Sequence, residues 1–421
     1  MSERTENPVA ATLVASVAVT PAHRDPNVLR WLGAFASSMV GDSVYYIALS
    51  WAAVQTGTPS QAGVVMSVSA LPRALLMLGG GVIADRLGPR RVVIGSDAVR
   101  CAAVLAVAAL LFLTSPGLWP LALLALVFGT VDAVFMPAVG ALPARITGTD
   151  QLARVQGMRG LAIRFASVVG APLGGLGVAL GGAAAAFALA GLLIAVSVPL
   201  LVSVRVREPA TRDDVSSRAT AWGDLAAGLR YIRRHRVLAP LMLAIALGDL
   251  GFVGPLNVGL TLLADRRGWG ASGMGWVLAG FGVGAGAASL VLTVRGRLPR
   301  AGLVAGYAIL AGSVAIGALA YVPALVGAVG AALLIGLLAG LSGAMCAALL
   351  QTHTDPAYLG RVTSVASLVS LGFAPLSMPF AAAAIGAWGT GPVFVVSAVV
   401  CGLGGVVALC VPGLRRAELP R

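Results

Sequence analysis

The chain has 421 residues, of which 58% are hydrophobic and 11% charged, with a formal net charge of +13. Soluble domains carry about 25% charged residues, so this composition excludes a string of soluble domains and points to an integral membrane protein. Apart from three histidines every basic residue is arginine, which excludes a Walker A loop and a Schiff-base lysine; the scatter of the arginines among inter-span loops excludes a nucleic-acid surface.

Residues 1–28 hold acids and prolines around the weakly apolar Val9–Thr20 and predict a cytoplasmic tail, not a cleaved signal peptide. Twelve apolar runs follow, each near the ~20 residues that cross a bilayer as a helix. The first six are Leu29–Val54, Ser60–Ala84, Val92–Leu113, Leu118–Leu142, Gly157–Leu180 and Ala183–Val204. The second six are Val237–Leu263, Gly273–Val294, Ala301–Tyr321, Ala324–Leu350, Val362–Ala387 and Pro392–Val411. The predicted fold is an all-α membrane protein of 12 transmembrane helices: a six-helix half over 29–204, a polar connection over 205–236, a second half over 237–411 and a tail over 412–421. With the N-terminus inside, Arg86, Arg90, Arg91, Arg145, Arg154, Arg205, Arg207, Arg295, Arg297, Arg300, Arg361, Arg415 and Arg416, among others, fall on cytoplasmic segments, and only Arg266 and Arg267 fall in external loops. The positive-inside rule therefore places both termini in the cytoplasm.

Ionisable residues deep in a span are costly, so each is a functional suspect. Span 1 carries Asp42 followed by Tyr45 and Tyr46, span 2 carries Arg73, span 4 carries Asp132 followed by Phe135 and Met136, and span 7 carries Asp249 followed by Phe252. Residues at i, i+3 and i+4 share a helix face. A carboxylate beside an aromatic ring can hold either a lipophilic cation or a proton, which is the simplest antiport scheme. The competing reading is structural: Arg73 neutralises one acid and the pair holds helices together.

Between spans 2 and 3 the chain turns through Gly81-Val-Ile-Ala-Asp85-Arg86-Leu-Gly88-Pro-Arg90-Arg91. Asp97 and Arg100 begin span 3, where they are expected to join a charge network with Arg86, Arg90 or Arg91. In span 5, Arg164 is placed to snorkel to the interface. The run Gly170-Ala-Pro172-Leu-Gly174-Gly175 reads as a close-packing, bendable seam. In the connection, Leu225, Leu229 and Ile232 are at helical spacing among arginines and predict a helix along the inner membrane surface. Gly41-Asp42 and Gly248-Asp249 mark a weak repeat of the two halves, as do the Asp85 loop and Arg295–Arg300. The glycines 280, 282, 284 and 286 imitate a dinucleotide fingerprint but lie inside an apolar span, so they read as a helix-packing face.

The Gly81–Arg91 loop resembles the loop between the second and third helices of major facilitator superfamily transporters, of the drug/proton antiporter type. The resemblance implies a parallel two-fold repeat of six helices, with spans 1, 4, 7 and 10 lining a central cavity. It implies that the loop, with Asp97, Arg100 and Arg361 of span 11, latches the halves in an outward-facing state. The span 5 run is similar to that of proton-driven exporters, with Ala171 intervening before the proline. Span 4 departs from many drug exporters in having Asp132 where they carry arginine. Leu32-Gly, Ser37-Ser38 and Gly41-Asp42-Ser43, with Pro137, Gly360-Arg361-Val362 and Pro375, are similar to the branch of macrolide-efflux and siderophore-export proteins. The implied function is export of a hydrophobic small molecule, cationic in one version, across a bacterial plasma membrane. The proton gradient would be the energy source, with no cofactor or metal and one chain sufficient. A metabolite importer or facilitator shares the fold; a membrane enzyme would need a catalytic constellation that His23, His235 and His353 do not supply.

Overall fold

The computed structural model describes residues 23–114, 116–148, 151–206, 221–295, 300–355, 358–372 and 374–418, and their side chains except at 74, 77–82, 84, 85, 153, 221, 222, 224, 225, 293, 295, 371 and 374–376. Span 1 is Pro26–Thr56, span 2 Pro59–Leu87, span 3 Pro89–Leu113 and span 4 Trp119–Ala141. Spans 5 and 6 run together as Leu152–Ser203 and part at Gly181 and Gly182, the latter with φ +71°. Span 7 is Leu238–Gly254, a π turn over Pro255–Gly259, and Leu260–Arg266. Spans 8, 9 and 10 are Gly270–Arg295, Ala301–Leu319 and Leu325–Thr352; span 11 is Leu359–Gly372 with Ala374–Trp388, and span 12 is Thr390–Cys410.

Eight helical segments are long and apolar enough to cross a bilayer outright, and one of them, Arg154–Ser203, is two passes. With spans 1, 2 and 11 the described residues make twelve. Several spans begin earlier than their apolar runs because proline fixes the first helical residue, where its missing N–H costs nothing. Pro26, Pro59 and Pro89 do this, reinforced at span 2 by the Thr58–Gln61 capping box. Gly88, at φ +85°, is the whole connection between spans 2 and 3, a backbone state that only glycine enters without strain. The outward face is apolar, with Leu113, Leu180 and Val326 more than four-fifths exposed, as lipid contact requires.

Loops alternate between two ends of the bundle, one rich in arginine and the other carrying Gln55 and Asp265. In the first half, a buried polar layer separates two apolar ones. Trp31, Phe35, Val92 and Leu142 pack toward the arginine-rich end, and Leu49, Leu121, Phe128 and Phe187 toward the opposite end. In the second half, Leu238, Leu349, Val362 and Leu414 form a core at the arginine-rich end. The linker helix Ala221–Arg234 docks there by burying Ile232, setting Gly228 against the Arg361 backbone and stacking Tyr231 on Tyr358 at 4.6 Å. Leu229 stays half exposed; the Leu225 side chain lies outside the described residues.

The halves meet at the opposite end. Ile47, Met66 and Ala171 of the first half share one apolar cluster with Leu256, Met274, Met378 and Ile385 of the second. Tyr46 donates to Asn257, and Gln55 donates to Asp265 at 2.7 Å. The span 5 run works on both sides of this seam. A side chain at Gly170 or Gly174 would strike span 1 at Ser43, Val44 and Ile47, and one at Gly175 would lie 2.5 Å from the Ala271 carbonyl of span 8. Gly275 of span 8 meets the Ala171 carbonyl in the same way. Gly280, Gly284 and Gly336 set spans 8 and 10 together by similar approaches.

Backbone cannot retreat as a side-chain tip can, so Gly175→Val is expected to hold the halves apart at this end. Spin labels at Thr114 and Tyr321, in loops of the two halves there, should report a longer distance in the variant than in wild type. An unchanged distance would mean that span 5 absorbs the bulk without moving span 8.

Candidate functional site

Asp42, Ser38, Asp97, Arg100, Asp132 and Ser197 form the polar layer of the first half. Arg100 is its centre and is fully buried. It bonds Asp42 at 2.8 Å, Asp132 at 3.2 Å, Ser38 Oγ at 3.1 Å, and Asp97. Its guanidinium lies 4.0 Å from the centre of the Phe135 ring. Asp97 also accepts from Ser38 at 3.0 Å and from Ser197. Arg73 reaches from span 2 to pair with Asp132.

This corrects the expected place of Asp97 and Arg100. They pair with mid-membrane carboxylates, not with Arg86, Arg90 or Arg91 at the loop. The physical reason was available: Arg100 lies eleven residues past the Pro89 start of span 3, about 16 Å at 1.5 Å per residue, which is near the middle of a ~30 Å core. An arginine at that depth needs a carboxylate beside it. Phe135 is corrected too: it is buried under Arg100 and is not among the residues lining the space beside Asp132, whereas Met136 is.

Two cavities lie between the halves below the closed end. The first, about 380 Å³, is lined by Asp42, Tyr45, Tyr46, Arg73, Asp132 and Met136, with Ile163, Ser167 and Phe281 opposite or beside them. Tyr45 stacks on Phe128 at 3.7 Å. The second, about 430 Å³, is lined by Asp249, Phe252, Phe281, Ser289, Ser342, Cys346, Cys401 and Arg164. Asp249 accepts from Ser370 of span 11 at 2.6 Å, and Phe252 leans on Phe281 with ring centres 5.8 Å apart. Phe281 is common to both cavities, so they adjoin. Arg164, from the first half, is part of the lining of the second cavity. Asn257 and Ser197 leave no mark in the sequence, because a single Asn or Ser in an apolar helix carries no periodic signal, and neither does the lone Phe281; Ser38 stands out only as part of the Ser37-Ser38 pair, with no sign of its place in the cluster.

Fully buried acids and bases balance only if each finds its opposite. Here three carboxylates share two guanidiniums, leaving one negative charge in surplus if all are ionised. One oxygen of Asp42 is buried with no hydrogen-bond partner among the described residues, while its side chain is 23% exposed toward the cavity. The cluster can thus hold or release one positive charge at a place the cavity reaches.

The loop residues are placed differently from the cluster. Arg90 donates to the Val202 carbonyl of span 6 at 2.6 Å, Arg86 and Arg91 are exposed, and Arg361 sits 5.5 Å from the Tyr358 ring centre. The side chains at Gly81 and Asp85 lie outside the described residues, as do those of 295–299 in the matching loop of the second half.

His235 precedes span 7, and its Nδ1 accepts from the backbone N–H groups of Val237 and Leu238 at 3.3 and 3.2 Å. Burial first, and His353 second, hold its pKa below the ordinary 6.5. A depressed histidine contributes stability in full above 6.5, and the contribution is lost as pH falls through the folded value. Protection of the Val237 and Leu238 amides, taken relative to the intrinsic exchange rate at each pH, is therefore expected to fall below pH ~6.5, and His235→Ala should flatten that pH dependence.

A family model of the Major Facilitator Superfamily matches residues 31–374. The enterobactin exporter EntS of Shigella boydii serotype 18 is 27% identical over 316 residues, covering 74% of each chain. Its counterpart in Escherichia coli O127:H6 is 26% identical over 314 residues with the same coverage. Among solved structures, the nucleoside transporter NupG superimposes with a TM-score of 0.73 at 12% identity, covering 92% of this chain and all of that one. The human organic anion transporter MFSD10 gives 0.62 at 15% identity, covering 92% and 99%. At such identities these structures share the fold alone.

Proposed function

Since this chain belongs to the Major Facilitator Superfamily, and is a multi-pass membrane transporter rather than an enzyme, we propose that it exports a hydrophobic, siderophore-type small molecule from a bacterial cytoplasm in exchange for protons. Two six-helix halves rock about the span 5 seam to expose the cavity to each side in turn. The arginine-rich end is cytoplasmic by the positive-inside rule, so the closed end at Gln55 and Asp265 is external and this conformer faces inward. The Gly81–Arg91 loop with Arg361 is the latch of the opposite, outward-facing conformer.

Asp42 is the proposed proton site, and its unpartnered oxygen in a cluster with one carboxylate too many is the observation that carries the reading. A proton from outside neutralises the surplus charge, loosens the hold of Arg100 on span 1, and so biases the halves. Asp132, clamped between Arg73 and Arg100, keeps the cluster in register. Asp249, Phe252 and Phe281 face the substrate in the neighbouring cavity. Export is favoured by the likeness to exporter-named relatives and by the span 5 run.

Inside-out vesicles with an imposed proton gradient test this directly. Expected is accumulation of a siderophore-type or other lipophilic substrate that collapses when an uncoupler dissipates the gradient. Accumulation indifferent to the uncoupler would sink proton antiport, and accumulation only in right-side-out vesicles would reverse the direction.

A further inference from the structure

Arg164 takes no part in the proton cluster. It stands on span 5 of the first half, its side chain is exposed, and it lines the cavity whose other walls come from the second half. Of the residues lining that cavity it is the one cation, and Asp249 is the one acid. Asp249 has its own donor in Ser370, and among the described residues no carboxylate lies within ion-pair reach of Arg164. The rest of the lining is mainly aromatic and apolar, with Phe252, Phe281, Ile245 and Ile335, and also carries Ser289 and Ser342.

A guanidinium facing an apolar cavity repels a cationic guest and offers planar N–H donors that match an acidic group two bonds at a time. Such charge-assisted bonds are about twice as strong as neutral ones. The cavity volume of about 430 Å³ is within the ~300–1,000 Å³ of small-molecule sites. Nothing comparable exists in the neighbouring cavity, where Arg73 is already committed to Asp132. The two cavities therefore divide the work: the first-half cluster handles a proton, and the second-half wall meets the cargo.

We propose that Arg164 is a specificity-determining residue that binds an acidic group of the substrate, so that the cargo is an aromatic or apolar anion with a hydrogen-bond donor for Asp249, and not a lipophilic cation. This rests on the reading of the inter-half cavity as the substrate site. It also gives the closed seam a use, since an anion held from span 5 and a donor held from span 7 bridge the two halves.

The test uses the full chain in phosphatidylcholine nanodiscs with two nearly isosteric fluorescent probes, dansylglycine, which is anionic, and dansylglycinamide, which is neutral. Wild type is expected to bind the acid about 10-fold tighter than the amide, the scale of one charge-assisted contact. Arg164→Gln should bind both at the wild-type amide affinity, and Arg164→Lys should keep part of the preference. Arg154→Gln, which removes an exposed arginine at the start of the same span, should behave as wild type. Equal binding of acid and amide by wild type overturns the anion assignment while leaving the cavity as the substrate site. Preference retained in Arg164→Gln, or loss of both probes in it, overturns the role of Arg164. Failure of wild type to bind either probe overturns the assignment together with the cavity reading.

Discussion

Arg100→Leu protein is expected to lose the packing of its first half. The guanidinium is fully buried and touches three carboxylates and the Phe135 ring. Leucine fills much of the volume but leaves Asp97 and Asp42 with no cation and Asp132 with Arg73 alone. Removing one partner from a buried pair costs about 3–5 kcal/mol, a large share of the ~5–15 kcal/mol that holds a typical domain. The variant should yield little monodisperse protein and unfold at a markedly lower temperature. Adding Asp97→Asn removes one of the stranded charges and should recover part of the loss. Arg73→Leu should cost less, because Arg73 is 34% exposed and serves a single acid. Equal unfolding temperatures for wild type and Arg100→Leu would mean that the acids are already neutral in the fold.

The second large effect is functional. Asp42→Asn keeps shape and a side-chain oxygen for Arg100, but it cannot exchange a proton. Uphill accumulation in inside-out vesicles should fall by about 5- to 150-fold, the range of a ~1–3 kcal/mol coupling free energy, while gradient-independent exchange of substrate across the same membrane continues. Asp132→Asn separates the roles: it strips charge from both Arg73 and Arg100, so its first effect should be on thermal stability. Retained uphill transport in Asp42→Asn would move coupling to Asp132 or Asp249. Loss of exchange as well as accumulation would make Asp42 a packing residue.

Much of the architecture was legible in the sequence because the bilayer is a strict solvent. It demands about 20 apolar residues per pass and drives arginine to one side, so the count of spans, their order and the break at Gly181–Gly182 follow from composition alone. Mid-span acids stand out for the same reason, and Asp42, Asp132 and Asp249 all line the inter-half cavities. The loop at Gly81–Arg91 carried the family.

What the sequence did not decide is which charges meet. Depth along a helix can be counted, but rotation about its axis and the identity of the neighbouring helix cannot. Rotation and neighbour are why Arg100 meets Asp42 and Asp132 and not the loop, why Phe135 covers Arg100 and does not line the cavity, and why Arg164 shares a cavity lining with Asp249. Composition and hydropathy determined the spans and their order, because each span answers to lipid by itself. Only the packing of spans 1, 3, 4 and 6 against one another, and of span 5 against span 8, decided the site, because a buried charge is stable only where another helix brings its partner.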